Sequence, residues 1–335
     1  MQPYSLFQWF SRPSLPLLRS LVLGCSMALL APATFGQTFP SKVVRYVVPD
    51  SPGSGGDIMG RLVASGMTEA LNQQVIVDNR AGASSNLGAE FVARSAADGY
   101  TMLAVSTTLS ANASLYKNLG YDLARDLAPV TQLALTPHVL VVHPSLPVNS
   151  VAEFIKLAKA KPGTINYSSP GSGTSAFIPA EIFKRVADVD IVHVPYKGGG
   201  PALQAIIAGQ VQAYFAPSLT AVPPIKQGLV RALALTSVQK LPLMPDLPTL
   251  AELGIKDIDF ANSLGLMVPT KTPEASIGVL NRAAVAALKK PDIAKKVNDL
   301  GAIIVGSSPT DYGTFVRREM TTLADLFKRG NVQPD

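Results

Sequence analysis

Residues 43–57 read VVRYVVPDSPGSGGD, and this stretch indicates how the chain folds. The valines at positions 43, 44, 47 and 48 predict a strand that Pro49 ends. A loop with three glycines follows, and a helical pattern begins at Asp57. A strand, a glycine-rich turn and a helix in this order present unpaired backbone N–H groups to an anion, and the helix dipole adds partial positive charge. We therefore expect an α/β protein that binds an anionic group at this turn.

The same alternation of short β-rich runs and helical runs continues along the chain. It predicts strands and helices in turn, at 43–48, 57–71, 74–78, 87–94 and 101–106, and a second series that begins with a strand at 139–143. Such units cross over with a right hand and build parallel sheets. We predict two α/β lobes, each a mostly parallel sheet flanked by helices. The first lobe holds residues 37–138 and 262–335, and the second lobe, residues 139–261, is inserted into it.

The first 36 residues have the pattern of a secretion signal. Arg12 and Arg19 are their only charges, and the apolar run LVLGCSMALLA covers 21–31. This run is too short for a bilayer span, which needs about 20 residues, but it fits a signal peptide. Small residues at 31, 33 and 36 place cleavage after Gly36, so we predict export to the periplasm. The alternative is lipid attachment at Cys25, because the residues before it loosely fit a lipoprotein signal.

Composition and motif spacing exclude several classes of function. Without residues 1–36 the chain carries 27 basic and 23 acidic residues, which is too mild a balance for a nucleic-acid partner. The only cysteine lies in the leader, so disulfide and thiolate chemistry are not available. The glycine loops lack the spacing of dinucleotide and P-loop sites, and the residues around Ser172 do not fit a nucleophile elbow. His138, His143 and His193 lack metal-ligand spacing, so we expect neither a metal nor a cofactor.

Small and polar residues fill the loops that join predicted strands to predicted helices. Four of these loops contain glycine, and a fifth is rich in hydroxyls: 49–57 (PDSPGSGGD), 79–86 (NRAGASSN), 168–175 (SSPGSGTS), 195–202 (PYKGGGPA) and 106–112 (STTLSAN). In open parallel sheets ligands bind beyond the carboxyl ends of the strands, where all five loops lie. Facing lobes would bring the amides and hydroxyls of these loops to one cleft, which suits a carboxylate. A single glycine-rich loop of this kind would be an ordinary turn in an α/β protein. The prediction of a carboxylate site therefore depends on the presence of several such loops.

Two charged residues in these loops are open to two interpretations. Lys197 either pairs with a carboxylate of the ligand or points to solvent at the rim of a lobe. Asp57 opens a helix, and capping that helix explains it well. The role of Asp57 would then be to hold the loop.

Longer segments identify a family. In order, the chain contains FPSKVVRYVVP, PGSGGD, VIVDNRAGASSNLGAEFVA, DGYT, SLYKNLGYD, VHVPYKGGGPAL and GQVQAYF. With them it resembles the Bug-type receptors, the periplasmic solute-binding proteins of tripartite tricarboxylate transporters, over essentially all of its mature length. The resemblance implies a two-lobed "Venus flytrap" that grips a small carboxylated solute between its lobes by hinge closure. The implied partners are a large and a small integral-membrane subunit, and we expect the receptor to be a monomer.

The resemblance also places the ligand contacts by position. In the first lobe they would be Ser54, Gly55, Gly56, Asp57, Ser84, Ser85, Ser106, Thr107 and Asn112. In the second lobe they would be Ser172, Gly173, Thr174, Lys197 and Gly198, with Ala216, Pro217 and Ser218 at the back of the pocket.

The chain departs from the family pattern at three positions. Asp50 stands where an aromatic residue is usual, Phe177 where many members have histidine, and Ala216 where an aspartate is common. If Asp50 points into the pocket, we expect it to face an amine or another donor on the ligand. A plain di- or tricarboxylate would then be disfavoured by like-charge repulsion. Alternatively, Asp50 turns to solvent or caps the next helix.

These observations predict a periplasmic solute-binding protein that delivers a small organic acid to a membrane transporter. Two alternatives stay open. One is a sensor that presents its ligand to a membrane signalling protein. The other is an enzyme that uses Ser172 or Lys197, which is disfavoured because no base lies at a recognisable spacing from either residue.

Overall fold

The computed structural model describes residues 39–256 and 258–330. The predicted signal segment 1–36, with Cys25, lies outside the described residues. Within the described part of the chain, no helix is both long and apolar enough to cross a bilayer.

Strands and helices alternate along the described chain. The strands are β1 (Val44–Val48), β2 (Val75–Asn79), β3 (Thr101–Ser106), β4 (Leu127–Val142), β5 (Asn166–Ser169), β6 (Val192–Pro195), β7 (Ala213–Pro217), β8 (Arg231–Leu235), β9 (Ala261–Pro269) and β10 (Ile303–Ile304). The helices are α1 (Gly55–Leu71), α2 (Asn86–Ala93), α3 (Thr107–Leu115), α4 (Leu123–Asp126), α5 (Val151–Ala160), α6 (Phe177–Ala187), α7 (Gly199–Ile207), α8 (Ser218–Lys226), α9 (Glu274–Lys289), α10 (Pro291–Asp299) and α11 (Pro309–Gly330).

Two of these helices have no clear signal in the sequence. Helix α3 is rich in hydroxyls and has no apolar period, and helix α8 contains Pro223 and Pro224. Both begin directly after a strand of the sheet, so the position of that strand places them where local pattern does not.

All ten strands of the described residues pair in one sheet. Its order is β2-β1-β3-β9-β4-β7-β5-β6, and β8 and β10 also pair with β4. The outer pairs are parallel: β1 pairs with β2 and β3, and β5 pairs with β6 and β7. At the centre, β9 pairs antiparallel with β3 and β4, and β4 pairs antiparallel with β7 and β8. Only the outer strands on each side therefore pair in parallel. Strands β4 and β9 connect the two groups of parallel strands and do not belong to a βαβ unit.

Strand β4 joins the two sets of strands. Its residues 127–137 pair with β9, and its residues 138–142 pair with β7 and β8. The sequence predicted only the second part as a strand, because Pro129 and Pro137 lack an N–H and interrupt a β pattern. The ladder accommodates Pro129 by a shift of register between Pro129 and Thr131. We call β1, β2, β3, β9, β10 and residues 127–137 the first half of the sheet, and β5 to β8 with residues 138–142 the second half.

Helix α11 packs against both halves, and the described residues form one compact unit. Tyr312 and Val316 belong to an apolar cluster with Leu103 of the first half. Leu323 and Phe327 belong to the large cluster of the second half. Full burial of one such side chain contributes about 1.5–3 kcal/mol to stability. Helix α11 therefore couples the two halves at the point where β4 and β9 pass between them.

A polar network lies under this crossing. Thr107 Oγ1 donates to Glu319 Oε1 at 2.7 Å and accepts from Ser263 N at 2.8 Å, while Thr107 N donates to Asn262 Oδ1 at 3.1 Å. Burial raises the pKa of Glu319 to about 7, and the hydroxyls of Ser110 and Thr107 oppose the rise. Glu319 therefore takes up its proton near neutral pH in the folded protein.

We expect Glu319→Gln to remove part of the pH dependence of stability. A carboxyl group whose folded pKa lies above its unfolded pKa stabilises the fold at low pH, and this contribution is lost as the pH rises through the folded pKa. From Glu319 alone, the free energy of unfolding should fall by on the order of 1–3 kcal/mol between the unfolded and the folded pKa. Thermal melts between pH 4.5 and about 7, the two values that bracket this titration, measure the effect.

Glu274→Gln is the matched control, because Glu274 is exposed at the start of α9. The Glu274 variant should keep the slope of melting temperature against pH, and the Glu319 variant should flatten it. Equal slopes in the two variants would contradict the raised pKa of Glu319.

Candidate functional site

A cavity of about 520 Å³ opens at the carboxyl ends of the strands. Loops that follow β1, β2 and β3 form one wall, loops that follow β5, β6 and β7 form the other, and Asn262 and Leu264 of β9 lie between them. All five loops that the sequence singled out reach this cavity. Its lining is 48–50, 54–56, 81–85, 104–106, 170–171, 174–176 and 196–199 with Thr108, Tyr214, Pro217, Thr220, Asn262 and Leu264.

Six helices of the described chain begin at the wall of the cavity: α1, α2, α3, α6, α7 and α8. The first residue or the capping residue of each lines it, namely Gly55, Ser85, Ser106, Ala176, Gly199 and Pro217. The first turn of a helix leaves backbone N–H groups without an intrahelical partner, and the helix dipole is positive there. An anion in the cavity would therefore be stabilised by amides from both halves of the sheet.

The loop of residues 49–57 is held from behind by Asp57. Ser54 caps α1 by accepting from Asp57 N at 3.2 Å. The buried Asp57 carboxylate accepts from Gly53 N and Asn79 Nδ2, both at 3.0 Å, and pairs with Arg61. Burial raises the pKa of Asp57, but the hydrogen bonds from Arg61, Gly53 and Asn79 outweigh burial and lower it. Asp57 thus shapes the loop without lining the cavity.

The loop of residues 79–86 presents three residues in the left-handed region. Ala83, Ser84 and Ser85 have φ of 45°, 49° and 73°. Successive backbone N–H groups in such a turn form a concave seat for an anion, and non-glycine residues there are strained. Asn112 Nδ2 holds the turn by donating to Ser84 O at 2.7 Å and to Asn86 Oδ1 at 2.9 Å.

Hydrogen bonds join the two walls of the cavity. Ser84 Oγ donates to Ser172 O at 2.9 Å, and Ser175 N donates to Thr108 Oγ1 at 3.0 Å. The turn before α7 also reaches the first wall, where Gly200 N donates to Ser51 Oγ at 3.3 Å. The walls are therefore in direct contact at three places.

Asp50 and Lys197 are the only charged side chains among the described residues that line the cavity. Asp50 Oδ1 accepts from Ser51 N at 2.7 Å and from Gly199 N at 3.3 Å. Burial raises the pKa of Asp50, and these hydrogen bonds partly offset the rise. The Lys197 side chain is exposed. Asp50 therefore caps α7, which belongs to the other wall. It does not cap α1, the next helix along the chain, because Ser54 caps that helix.

The predicted ligand contacts divide into residues that line the cavity and residues that lie behind its wall. Those that line it are Asp50, Ser54, Gly55, Gly56, Ser84, Ser85, Ser106, Thr174, Lys197, Gly198 and Pro217. Those that do not line it are Asp57, Thr107, Asn112, Ser172, Gly173, Ala216 and Ser218. Members of the second group support the wall: Ala216 packs in the apolar core, and Ser218 Oγ donates to Gly301 O at 2.7 Å.

Sequence reasoning missed several polar residues of the lining, namely Thr108, Ser175, Tyr196, Tyr214, Thr220 and Asn262. Thr108, Ser175 and Tyr196 had a signal, because they lie within loops that the sequence singled out. Tyr214 shares a strand face with Ala216, which the sequence assigned to the pocket but which does not line it. Asn262 had no signal, since only the path of β9 beneath the cavity brings it there. In the part of the chain that the structure describes, no three histidine, cysteine, aspartate or glutamate side chains are grouped to hold a metal ion. The groups available to a ligand are amides, hydroxyls, one carboxylate and one ammonium.

Comparison with known proteins agrees with this geometry. A family model described as "Tripartite tricarboxylate transporter family receptor" matches residues 59–332. Protein BugT of Bordetella pertussis is 32% identical over 301 residues, which cover 89% of this chain and 92% of that protein. The structure of the periplasmic binding protein BugD is similar with a TM-score of 0.86 at 28% identity, over 89% of this chain and 100% of that chain. The structure of an R. palustris protein with adipate has a TM-score of 0.86 at 33% identity, with the same coverage.

We expect Ser85→Gly to stabilise the protein. Ser85 has a φ of 73° and makes no side-chain capping bond to α2, so glycine relieves strain without the loss of a capping bond. The gain is reduced by the larger conformational freedom of glycine in the unfolded chain. The free energy of unfolding should rise by roughly 0.5–1 kcal/mol, measured by denaturant unfolding.

Ser84→Gly is the matched comparison. Ser84 has the same backbone strain, but its hydroxyl donates to Ser172 O, so the substitution should give a smaller gain or a net loss. A destabilised Ser85 variant would contradict the view that its left-handed backbone is strained.

Proposed function

The chain belongs to the tripartite tricarboxylate transporter receptor family, and on that premise we propose that it captures a small organic acid in the periplasm for a tripartite membrane transporter. It is a solute receptor with the α/β periplasmic binding protein fold and not an enzyme. Export through the segment of residues 1–36, delivery to integral-membrane subunits and action as a monomer are parts of this proposal.

The observation that supports a carboxylate ligand is the convergence of six helix N-termini on one cavity. Apart from the first amides of α7, which donate to Asp50 and Ser51, these amides and the hydroxyls of Ser85 and Ser106 stabilise negative charge. Lys197 is the only cation among the described lining residues. An anion held mainly by backbone amides suits a small carboxylate, which offers several acceptor oxygens in one group. The R. palustris relative with adipate is a dicarboxylate complex of the same fold.

The proposed mode of action is closure of two lobes on the solute. The lobes would be residues 37–138 with 262–335 and residues 139–261. Support comes from β4, whose partner strands change between Pro137 and His138, and from β9, which begins at Ala261. The bonds between Ser84 and Ser172 and between Thr108 and Ser175 would form on closure. A solute that contacts both walls binds the closed form better, and this difference in affinity drives the motion.

We expect carboxylic acids to stabilise the mature protein, residues 37–335, and their neutral amides to have no effect. A ligand that binds only the folded state raises its stability by about 2.7 kcal/mol at a concentration 100 times Kd. The panel holds linear mono- and dicarboxylic acids of two to eight carbons, ω-amino acids and the corresponding amides. Thermal shift identifies binders, calorimetry gives Kd, and small-angle X-ray scattering tests for a smaller radius of gyration in the complex.

Ser106→Leu should abolish the stabilisation, because Ser106 lines the cavity at the carboxyl end of β3 and makes no capping bond. Thr101→Leu is the matched control at the opposite end of the same strand, and it should leave binding unchanged. If Ser106→Leu binds acids as the unsubstituted protein does, the solute does not occupy this cavity.

A further inference from the structure

We infer that the solute carries one carboxylate and, at its other end, a hydrogen-bond donor such as an ammonium or amide group, and that Asp50 selects this class against dicarboxylates. This inference rests on the proposed function, since it assigns the solute class of the same cavity.

The N-terminus of α7 is already occupied by side chains of the opposite wall. Asp50 Oδ1 accepts from Gly199 N, and Ser51 Oγ accepts from Gly200 N, both at 3.3 Å. Helix α7 thus has a carboxylate and a hydroxyl of the protein where a ligand carboxylate would otherwise bind. A second ligand carboxylate could bind the amides of α7 only if it displaced the Asp50 carboxylate, which belongs to the protein and would stay close by.

The close approach of the two walls is built into the glycines of α7. A Cβ atom added to Gly198 would lie 2.3 Å from Ser51 Oγ and 3.0 Å from Asp50 Oδ1, and one added to Gly200 would lie 2.6 Å from Pro52 O. Gly198 also has a φ of 112°, which side chains rarely adopt. These contacts require glycine at both positions, so the pairing of Asp50 with α7 is a defined packing arrangement.

The negative charge of Asp50 disfavours a dicarboxylate whose second carboxylate lies near it. Asp50 is half-buried with an edge on the cavity, and two like charges at contact distance in a partly buried site repel far more strongly than in water. The exposed Lys197 is screened by solvent and offsets little of this repulsion. A donor group at the same place gains a charge-assisted hydrogen bond with Asp50.

The seat for the single carboxylate is the turn before α2. Ser84 and Ser85 line the cavity there, and Ser84 Oγ donates to Ser172 O of the other wall. The turn before α1 is not this seat, because its capping residue Ser54 lies against Asp50 and Gly199. The solute would thus place its carboxylate on the turn before α2 and its donor near Asp50.

The test compares acids of equal length that differ only at one end. The first set is adipate, adipic acid monoamide and 6-aminohexanoate, and a shorter set is succinate, succinamate and 4-aminobutyrate. Calorimetry gives Kd for each with the unsubstituted mature protein and with Asp50→Asn. Asparagine keeps the Oδ1 acceptor for Gly199 N, so the cap on α7 and the fold are retained, and a thermal melt checks this.

With the unsubstituted protein, the amide or amino acid of a set should bind at least tenfold more tightly than the dicarboxylate. In Asp50→Asn the ratio should shift at least tenfold toward the dicarboxylate, because the repelling charge is gone. Asp246→Asn removes an exposed acid outside the cavity and should leave every ratio unchanged.

The outcomes separate this inference from the function on which it rests. Two results would overturn the role of Asp50 and leave a carboxylate receptor. One is that dicarboxylates bind the unsubstituted protein as tightly as the amino acids, and the other is that Asp50→Asn does not change the ratio of the two Kd values. If none of the acids binds either protein, both the carboxylate receptor and the role of Asp50 are wrong.

Discussion

The pairing of β4 with strands on both of its sides is the constraint on which the site depends. One strand of 16 residues pairs with β9 along its first part and with β7 and β8 along its second. Backbone hydrogen bonds fix the direction of every strand that is attached to it, directly or through a neighbour. The parallel strands of both halves therefore end at the same volume, and the helices that follow them begin there. Six helix N-termini meet at one cavity because of sheet topology, and no single loop could bring them together.

This arrangement separates residues that contact a ligand from residues that make contact possible. A seat of backbone amides is useful only if its turns keep their shape. Partly buried hydrogen bonds hold the two turns of the first wall: Asp57 accepts from Gly53 N, and Asn112 donates to Ser84 O. Leaving such a buried donor or acceptor unpaired costs about 1–3 kcal/mol. The polar residues behind the wall are therefore required to keep the shape of the turns, just as the lining residues are required to bind the ligand. A family resemblance alone does not tell the two groups apart.

The crossing between the halves has chemistry of its own. Glu319 of α11 lies where β9, α3 and α11 meet, and its carboxylate accepts from Thr107. Asp50 lines the cavity and connects the walls through α7. Both are carboxylates whose pKa is raised by burial. Asp50 thus joins the two walls and takes part in the electrostatics of the cavity, whereas Glu319 ties α11 to α3.

Much of this protein could be predicted from its sequence. Local signals are enough for the strand at 44–48, the turn with Gly53 and the helix that follows, since β-branched residues, glycine and an N-cap act over a few residues. Four glycine loops and the hydroxyl-rich loop indicated the cavity for the same reason. Only the tertiary structure decided that β4 runs through Pro137, that Asn262 lies beneath the cavity and that Asp50 caps a helix 149 residues away. Those outcomes depend on strand pairing and packing between segments distant in the chain, and no pattern within one segment records them.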